Sequence, residues 1–242
     1  MFHDAAGRNS EALAPSDPRY PAAAASSRAR SVHAPPVRSR TSILGRGLDI
    51  LLASALLIVL GPTMLSIALL IWVEDGGSPL FGHKRIGRNG RPFACLKFRS
   101  MVMDAESRLE RLLAQDPAAR REWLTDHKLR NDPRITRIGG FLRRSSIDEL
   151  PQLLNVLRGE MSMVGPRPIV QGEIVRYGRG FRHYCAVRPG ITGLWQVSGR
   201  NDISYRRRVA LDRLYVRSRS LRRDVGIIAM TIPAVLFRKG SY

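Results

Sequence analysis

Residues 50–73 read ILLASALLIVLGPTMLSIALLIWV, a run with no charged side chain. At 1.5 Å per residue, a helix of this length extends roughly 36 Å, enough to cross a hydrocarbon layer about 30 Å thick. The core helix of a soluble domain rarely runs so far without charge. Gly61 and Pro62 sit at the midpoint. Proline removes a backbone donor there and bends a helix. Arg38, Arg40 and Arg46 precede the run, and His83, Lys84, Arg85 and Arg88 follow it. Basic flanks favour the cytoplasmic side. Two sets of them place both ends there and turn a span into a kinked, re-entrant hairpin. Glu74 and Asp75 favour neither arrangement, and the residues alone leave both open.

Around this segment the chain has 242 residues, a formal charge of +20 and a pI near 11.4. That balance points to polyanionic partners: nucleic acid, anionic headgroups or phosphorylated substrates. Aromatics make up only 7%, which weakens a single-strand nucleic-acid reading based on stacking. Cys95 and Cys185 lie too far apart in sequence for a short metal motif and form no disulfide framework. Residues 1–42, rich in Ala, Pro, Ser and Arg, read as a disordered tail with no apolar core of a signal peptide. Residues 43–75 are expected to form the membrane-embedded part and 76–242 a compact soluble or interfacial domain.

Within that domain, LFGHKRI and PFACLKF flank Arg88-Asn89-Gly90 and predict a β-hairpin over 80–86 and 92–98. Helices are expected over 104–114, over a short stretch ending near Arg144, over 147–157 and over 205–216. Residues 187–201, dense in Gly and Pro, read as an irregular loop. The last apolar helix, VGIIAMTIPAVLF, either packs on the core or lies in the headgroup plane. The fold class expected is α/β, mainly α: a membrane segment that spans or turns back, followed by a small domain with one short β-hairpin and helices, the last of them core-packed or interfacial.

The chemistry centres on RRSSIDELPQ, residues 143–152. Ser146 and Glu149 match a capping box, and acids suit a first helical turn. Yet Arg134, Arg137, Arg143, Arg144, Arg158 and Arg167 surround the pair Asp148-Glu149 in sequence. Arginine forks suit phosphate. A carboxylate can attack phosphorus, and a second can hold Mg²⁺ against a diphosphate.

Three stretches, KRIGRNGRPFACLKFRSMVMDAE (84–106), DPRITRIGGFLRRSSIDELPQLLNVLRGEMSMVGPRP (132–168) and RPGITGLWQVSGRNDISYRRRVALDRLYV (188–216), resemble the bacterial sugar transferases, the monotopic polyprenyl-phosphate phosphoglycosyl transferases. The likeness covers about residues 43–242 and is greatest to short-form members that initiate exopolysaccharide repeat units. It implies transfer of a sugar-1-phosphate from a UDP-sugar to undecaprenyl phosphate, with UMP released. It makes Asp148 the nucleophile and Glu149 the Mg²⁺ ligand. It favours the re-entrant hairpin, broken at Gly61-Pro62. Lys97, Arg99, Arg143, Arg167 and Arg200 become substrate-binding residues, against the plainer alternatives of surface charge or a simple turn. Trp195 is given a packing role, and His83, His127 and His183 none.

The resemblance further implies the bacterial inner membrane as location, the catalytic domain facing the cytoplasm, contact with membrane lipid but not nucleic acid, and room for a homodimer. The residues at 194–196 and Ser145-Ser146 depart from many relatives without touching the chemistry, and the loop says little of which sugar is moved; galactose and glucose lead by analogy. A membrane-tethered basic binding module remains as an alternative that explains the charge but not the acids among the arginines. A metal-dependent glycosyltransferase lacks its Asp-x-Asp motif here.

Overall fold

The structure, a computed structural model, describes residues 43–126, 129–199 and 203–236. The tail expected over 1–42 lies outside them. The apolar segment forms one helix, α1 (Ile43–Asp75), helical throughout with Pro62 inside it. No loop divides it at Gly61-Pro62. Ser66 Oγ donates to the Pro62 carbonyl at 3.0 Å. Almost none of its apolar window is covered by protein, and Ile58, Val59 and Leu65 are each more than 70% exposed.

The hairpin forms as read. Strands β1 (Leu80–Ile86) and β2 (Pro92–Phe98) pair antiparallel, with Phe81 opposite Lys97, His83 opposite Cys95 and Arg85 opposite Phe93. The turn needs left-handed backbone, at φ 59° for Asn89 and 72° for Gly90, and Asn and Gly are the residues that accept it. Helices α2 (Ala105–Gln115), α3 (Pro117–Asp126) and α4 (Arg137–Ser145) follow. Thr136 caps α4 by accepting from the Gly139 amide at 2.9 Å.

The helix expected over 147–157 is two pieces. Residues Ile147–Glu149 form a 3₁₀ turn, and α5 runs only over Gln152–Arg158. Pro151 has no N–H to join them. The connection is instead made by i+3 bonds, Leu150 to Ile147 and Leu153 to Leu150. Leu153 and Val156 enter the core, while Leu157 is exposed. Fully buried Asn155 faces β2: it accepts from the Leu96 amide at 2.9 Å and donates to the Ala94 carbonyl at 2.8 Å. It pairs with the strand edge as a neighbouring strand would.

A second, parallel sheet joins β3 (Ser162–Val164) to β4 (Gly190–Thr192), where an irregular loop is expected. A side chain on Gly190 would fall 2.0 Å from the Gly165 amide nitrogen, so only glycine allows this contact. Short helices α6 (Ile174–Tyr177), α7 (Phe181–Cys185) and α8 (Leu194–Val197) lead to α9 (Tyr205–Arg217) and α10 (Leu221–Leu236). The main core gathers Leu153, Val156, Met161, Tyr215 and Ile227 around Ala53 of α1. A separate cluster joins Ile67 and Ile71 near the other end of α1 to Phe98 and Leu142.

Candidate active site

Lys97 points from the hairpin face that also carries Phe81, His83, Cys95 and Arg85. Its Nζ donates to Asp148 Oδ2 at 3.2 Å and to Glu149 Oε1 at 2.7 Å. The hold of Asn155 on β2 fixes α5, and with it the acid-bearing turn, against Lys97. The capping box of Ser146 and Glu149 does not form. Ser146 is left-handed, at φ 58°, and ends α4, its amide donating to the Arg143 carbonyl. Its side chain caps nothing, and the Glu149 carboxylate turns to Lys97.

The two acids differ. Asp148 is buried, and burial first, then adjacent Glu149, raises its pKa against the pull of Lys97 and Arg143. Burial would raise Glu149 too, but Lys97, Arg167 and Arg85 outweigh it, so its carboxyl lies below the ordinary range. A carboxylate made more basic beside one that stays ionised suits a nucleophile next to an anionic ligand.

A cleft beside the pair is lined by Arg85, Lys97, Glu149, Arg167, Ile191 and Gln196. Arg167 reaches it from the loop after β3. Buried Tyr184, which no sequence pattern singled out, ties that loop to β1: its hydroxyl donates to the Ile86 carbonyl and accepts from the Ile169 amide. Arg85 reinforces the join by donating to the Pro168 carbonyl at 3.2 Å. Gln196 brings the 187–201 stretch into the cleft wall. Arg143 approaches from another direction, its Nε donating to Ser100 Oγ at 2.8 Å within the electrostatic reach of Asp148.

Arg99 is engaged elsewhere, by Asp75 at the end of α1 and by the Ser78 carbonyl. Strand alternation would put it on the Lys97 face, but β2 ends at Phe98. Arg200 lies outside the described residues, as does His127. Trp195 packs in the interior under Arg208, 4.6 Å from the guanidinium carbon to the ring centre. His83 borders the acids' cations. Burial, with Arg85, Lys97 and Arg167, pushes its pKa down to about 4, which keeps it neutral.

The model of the bacterial sugar transferase family matches residues 40–238. This chain belongs to that family. It is 52% identical over 199 residues to the UDP-galactose-lipid carrier transferase of Erwinia amylovora, covering 82% of this chain but 42% of that protein. It is 50% identical over 202 residues to the undecaprenyl-phosphate galactose phosphotransferase of Salmonella typhimurium, again 82% against 42%. With the exopolysaccharide production protein ExoY of Sinorhizobium fredii it shares 50% over 206 residues, 85% of this chain and 91% of that one. The chain therefore spans about two fifths of the first two relatives and most of the third.

Glu149 is the residue to test as a metal ligand. Among the described residues no three His, Cys, Asp or Glu side chains converge on a common point. Mg²⁺ needs no such cage, since it commonly takes one or two carboxylates and completes its shell with water and substrate phosphate. Glu149 is ionised, Lys97 occupies its Oε1, and no described residue donates to its Oε2. The pair fits an ion that completes its shell with water or phosphate.

Proposed function

We propose that the chain transfers a sugar-1-phosphate from a UDP-sugar to undecaprenyl phosphate through a covalent phosphosugar on Asp148, beginning an exopolysaccharide repeat unit. The observation that carries this is Lys97, which bonds both the buried carboxylate of Asp148 and Glu149 and, with Glu149, lines a cleft that holds Arg85 and Arg167. Two relatives named for galactose transfer support that sugar, with glucose next.

In the first step an Asp148 oxygen forms a bond to the sugar-bearing phosphorus, and the bond to the bridging oxygen breaks. That oxygen keeps the electron pair and departs with UMP. In the second, an oxygen of undecaprenyl phosphate attacks the same phosphorus and the Asp148 carboxylate leaves. The products are the polyprenyl diphosphate sugar and the free enzyme. Lys97 holds Asp148 ionised and aligned. Arg85 and Arg167, joined through Tyr184, bind the diphosphate charge, and Arg143 approaches Asp148 from its own side. Glu149 would hold Mg²⁺, which when bound offsets negative charge on the diphosphate.

The reading places α1 in the bacterial inner membrane as a re-entrant element, with the catalytic domain in the cytoplasm. Its support is that both ends of α1 bond to one domain. Near the first end, Asp49 accepts from Ser162 Oγ and, at 2.8 Å, from the Met163 amide. At the other, Asp75 pairs with Arg99. A domain on one side of a bilayer cannot hold both ends of a spanning helix.

The test is nucleotide release from a panel of UDP-sugars with undecaprenyl phosphate in nanodiscs. UMP is expected, with intact mass showing a phosphosugar adduct that Asp148→Asn lacks. UDP as the product sinks the proposal.

A further inference from the structure

A second group of cations stands where α1 meets the domain, and the chemistry above does not use it. Arg46 lies just before the apolar run. It donates from its two terminal nitrogens to the carbonyls of Val156, at 2.7 Å, and Leu157, at 3.1 Å. Arg188 donates from Nε to the Gly159 carbonyl at 2.6 Å. Both guanidinium groups therefore gather at the C-terminal end of α5. A side chain on Gly159 would lie 3.6 Å from one Arg46 nitrogen and 4.0 Å from one of Arg188. Among the described residues neither arginine forms an ion pair with a carboxylate, Asp49 acts on Arg188 only through its charge, and the terminal nitrogens of Arg188 make no hydrogen bond. Arg219 belongs to the same field, partly answered by Asp224 at 3.6 Å.

The surroundings of this cluster are apolar. Leu52, Ala53 and Leu57 of α1 pack in one core with Ile227 and Ile228 of α10. The start of the apolar run thus lies beside α10. Outward from that contact, Ile50, Leu51 and Leu56 on α1 and Val225, Met230 and Ile232 on α10 are exposed. Charge gives way to hydrocarbon between Asp49 and Ile50. With α1 in a bilayer, this boundary falls at the level of the headgroups.

We propose that Arg46 and Arg188 form a headgroup site for an anionic phospholipid, whose acyl chains run along the exposed faces of α1 and α10. The terminal nitrogens of Arg188 are open to a phosphodiester, and Arg46, held on the Val156 and Leu157 carbonyls, adds its charge beside them. Basic recesses at the cytoplasmic edge of membrane helices are a known form of anionic-lipid site. The adjoining aliphatic faces favour a lipid over a free anion, because a soluble phosphate would leave them uncovered.

The inference rests on α1 lying in the membrane, and its test is read by melting rather than turnover. Failure here leaves the transferase reading standing, and absence of UMP release leaves the lipid result standing. The full chain in mild detergent is titrated with phosphatidylglycerol or phosphatidylcholine, and its melting temperature is followed. Phosphatidylglycerol is expected to raise it saturably, and phosphatidylcholine is not. Arg188→Gln should raise the half-saturating concentration by about tenfold, the loss of one charge-assisted contact. Arg188→Lys should fall between the two. Arg46→Gln is the second variant, and native mass spectra of the wild-type chain count bound lipids without any substitution. Equal shifts from the two lipids overturn the proposal. So does an unchanged half-saturation in both Gln variants, or the same shift from inorganic phosphate at equal concentration.

Discussion

Lys97 Nζ lies 3.2 Å from Asp148 Oδ2 and 2.7 Å from Glu149 Oε1, so a single ammonium serves two adjacent carboxylates. It lowers both pKa values, while burial and Glu149 raise that of Asp148. Lys97→Met keeps the length of the side chain and removes the charge. Asp148 then needs a higher pH to ionise, so the acidic limb of kcat/KM for UMP release should move to higher pH. The rate at pH 7 should fall by roughly 10²–10³, the scale of losing one preorganised electrostatic group. An acidic limb at the same pH in the variant would mean that Lys97 does not govern the ionisation of Asp148.

Asn155 carries a structural load out of proportion to its size. With no exposed surface it satisfies both the Leu96 amide and the Ala94 carbonyl of β2. Asn155→Leu keeps the branched shape of the side chain and leaves both part-buried groups without their partner. Each such group costs about 1–3 kcal/mol. The melting temperature in detergent should drop on the order of 10 °C. A drop of only a degree or two would show that water or backbone movement replaces the bonds.

The same residues show what could be read from the sequence. The β-hairpin was legible because period-two alternation and an Asn-Gly turn with positive φ point to one geometry. The acid pair was legible as a candidate site because Asp148 and Glu149 stand among arginines. Its local geometry was not, since the capping-box pattern assumes that Ser146 is extended, whereas it takes the left-handed conformation that ends α4. Arg99 was assigned to the substrate by resemblance, and its pairing with Asp75 was hidden because that partner lies at the end of α1, far away in sequence. The β3–β4 pairing was hidden by strands of three residues each and by glycines that mark close approach as readily as a loop. Asn155 and Tyr184 were missed because their partners are backbone groups far away in sequence.

The hold on both ends of α1 makes a topological prediction. Leu44→Cys and Glu74→Cys lie near opposite ends of the helix, on exposed positions. In a Cys185→Ser background, buried Cys95 stays silent. A membrane-impermeant maleimide should label both new cysteines in inside-out vesicles and neither in intact spheroplasts. Labelling of one from each side would establish a span instead.

Asp212 makes a pH prediction remote from the reaction. It is 3% exposed and accepts from the Tyr177 hydroxyl at 2.7 Å. Burial pushes its pKa from 3.8 up to about 7, against the hydroxyl and Arg208. The folded chain therefore holds a proton that the unfolded chain releases near pH 4. Between these values the unfolded state binds fewer protons, so stability falls as pH rises. The loss levels off above pH 7 and approaches roughly 4 kcal/mol at most. Asp212→Asn keeps an acceptor for Tyr177 and cannot ionise. The melting temperature of the variant relative to wild type should climb from pH 5 to pH 8, and a difference that stays constant across that range would place the Asp212 pKa outside it.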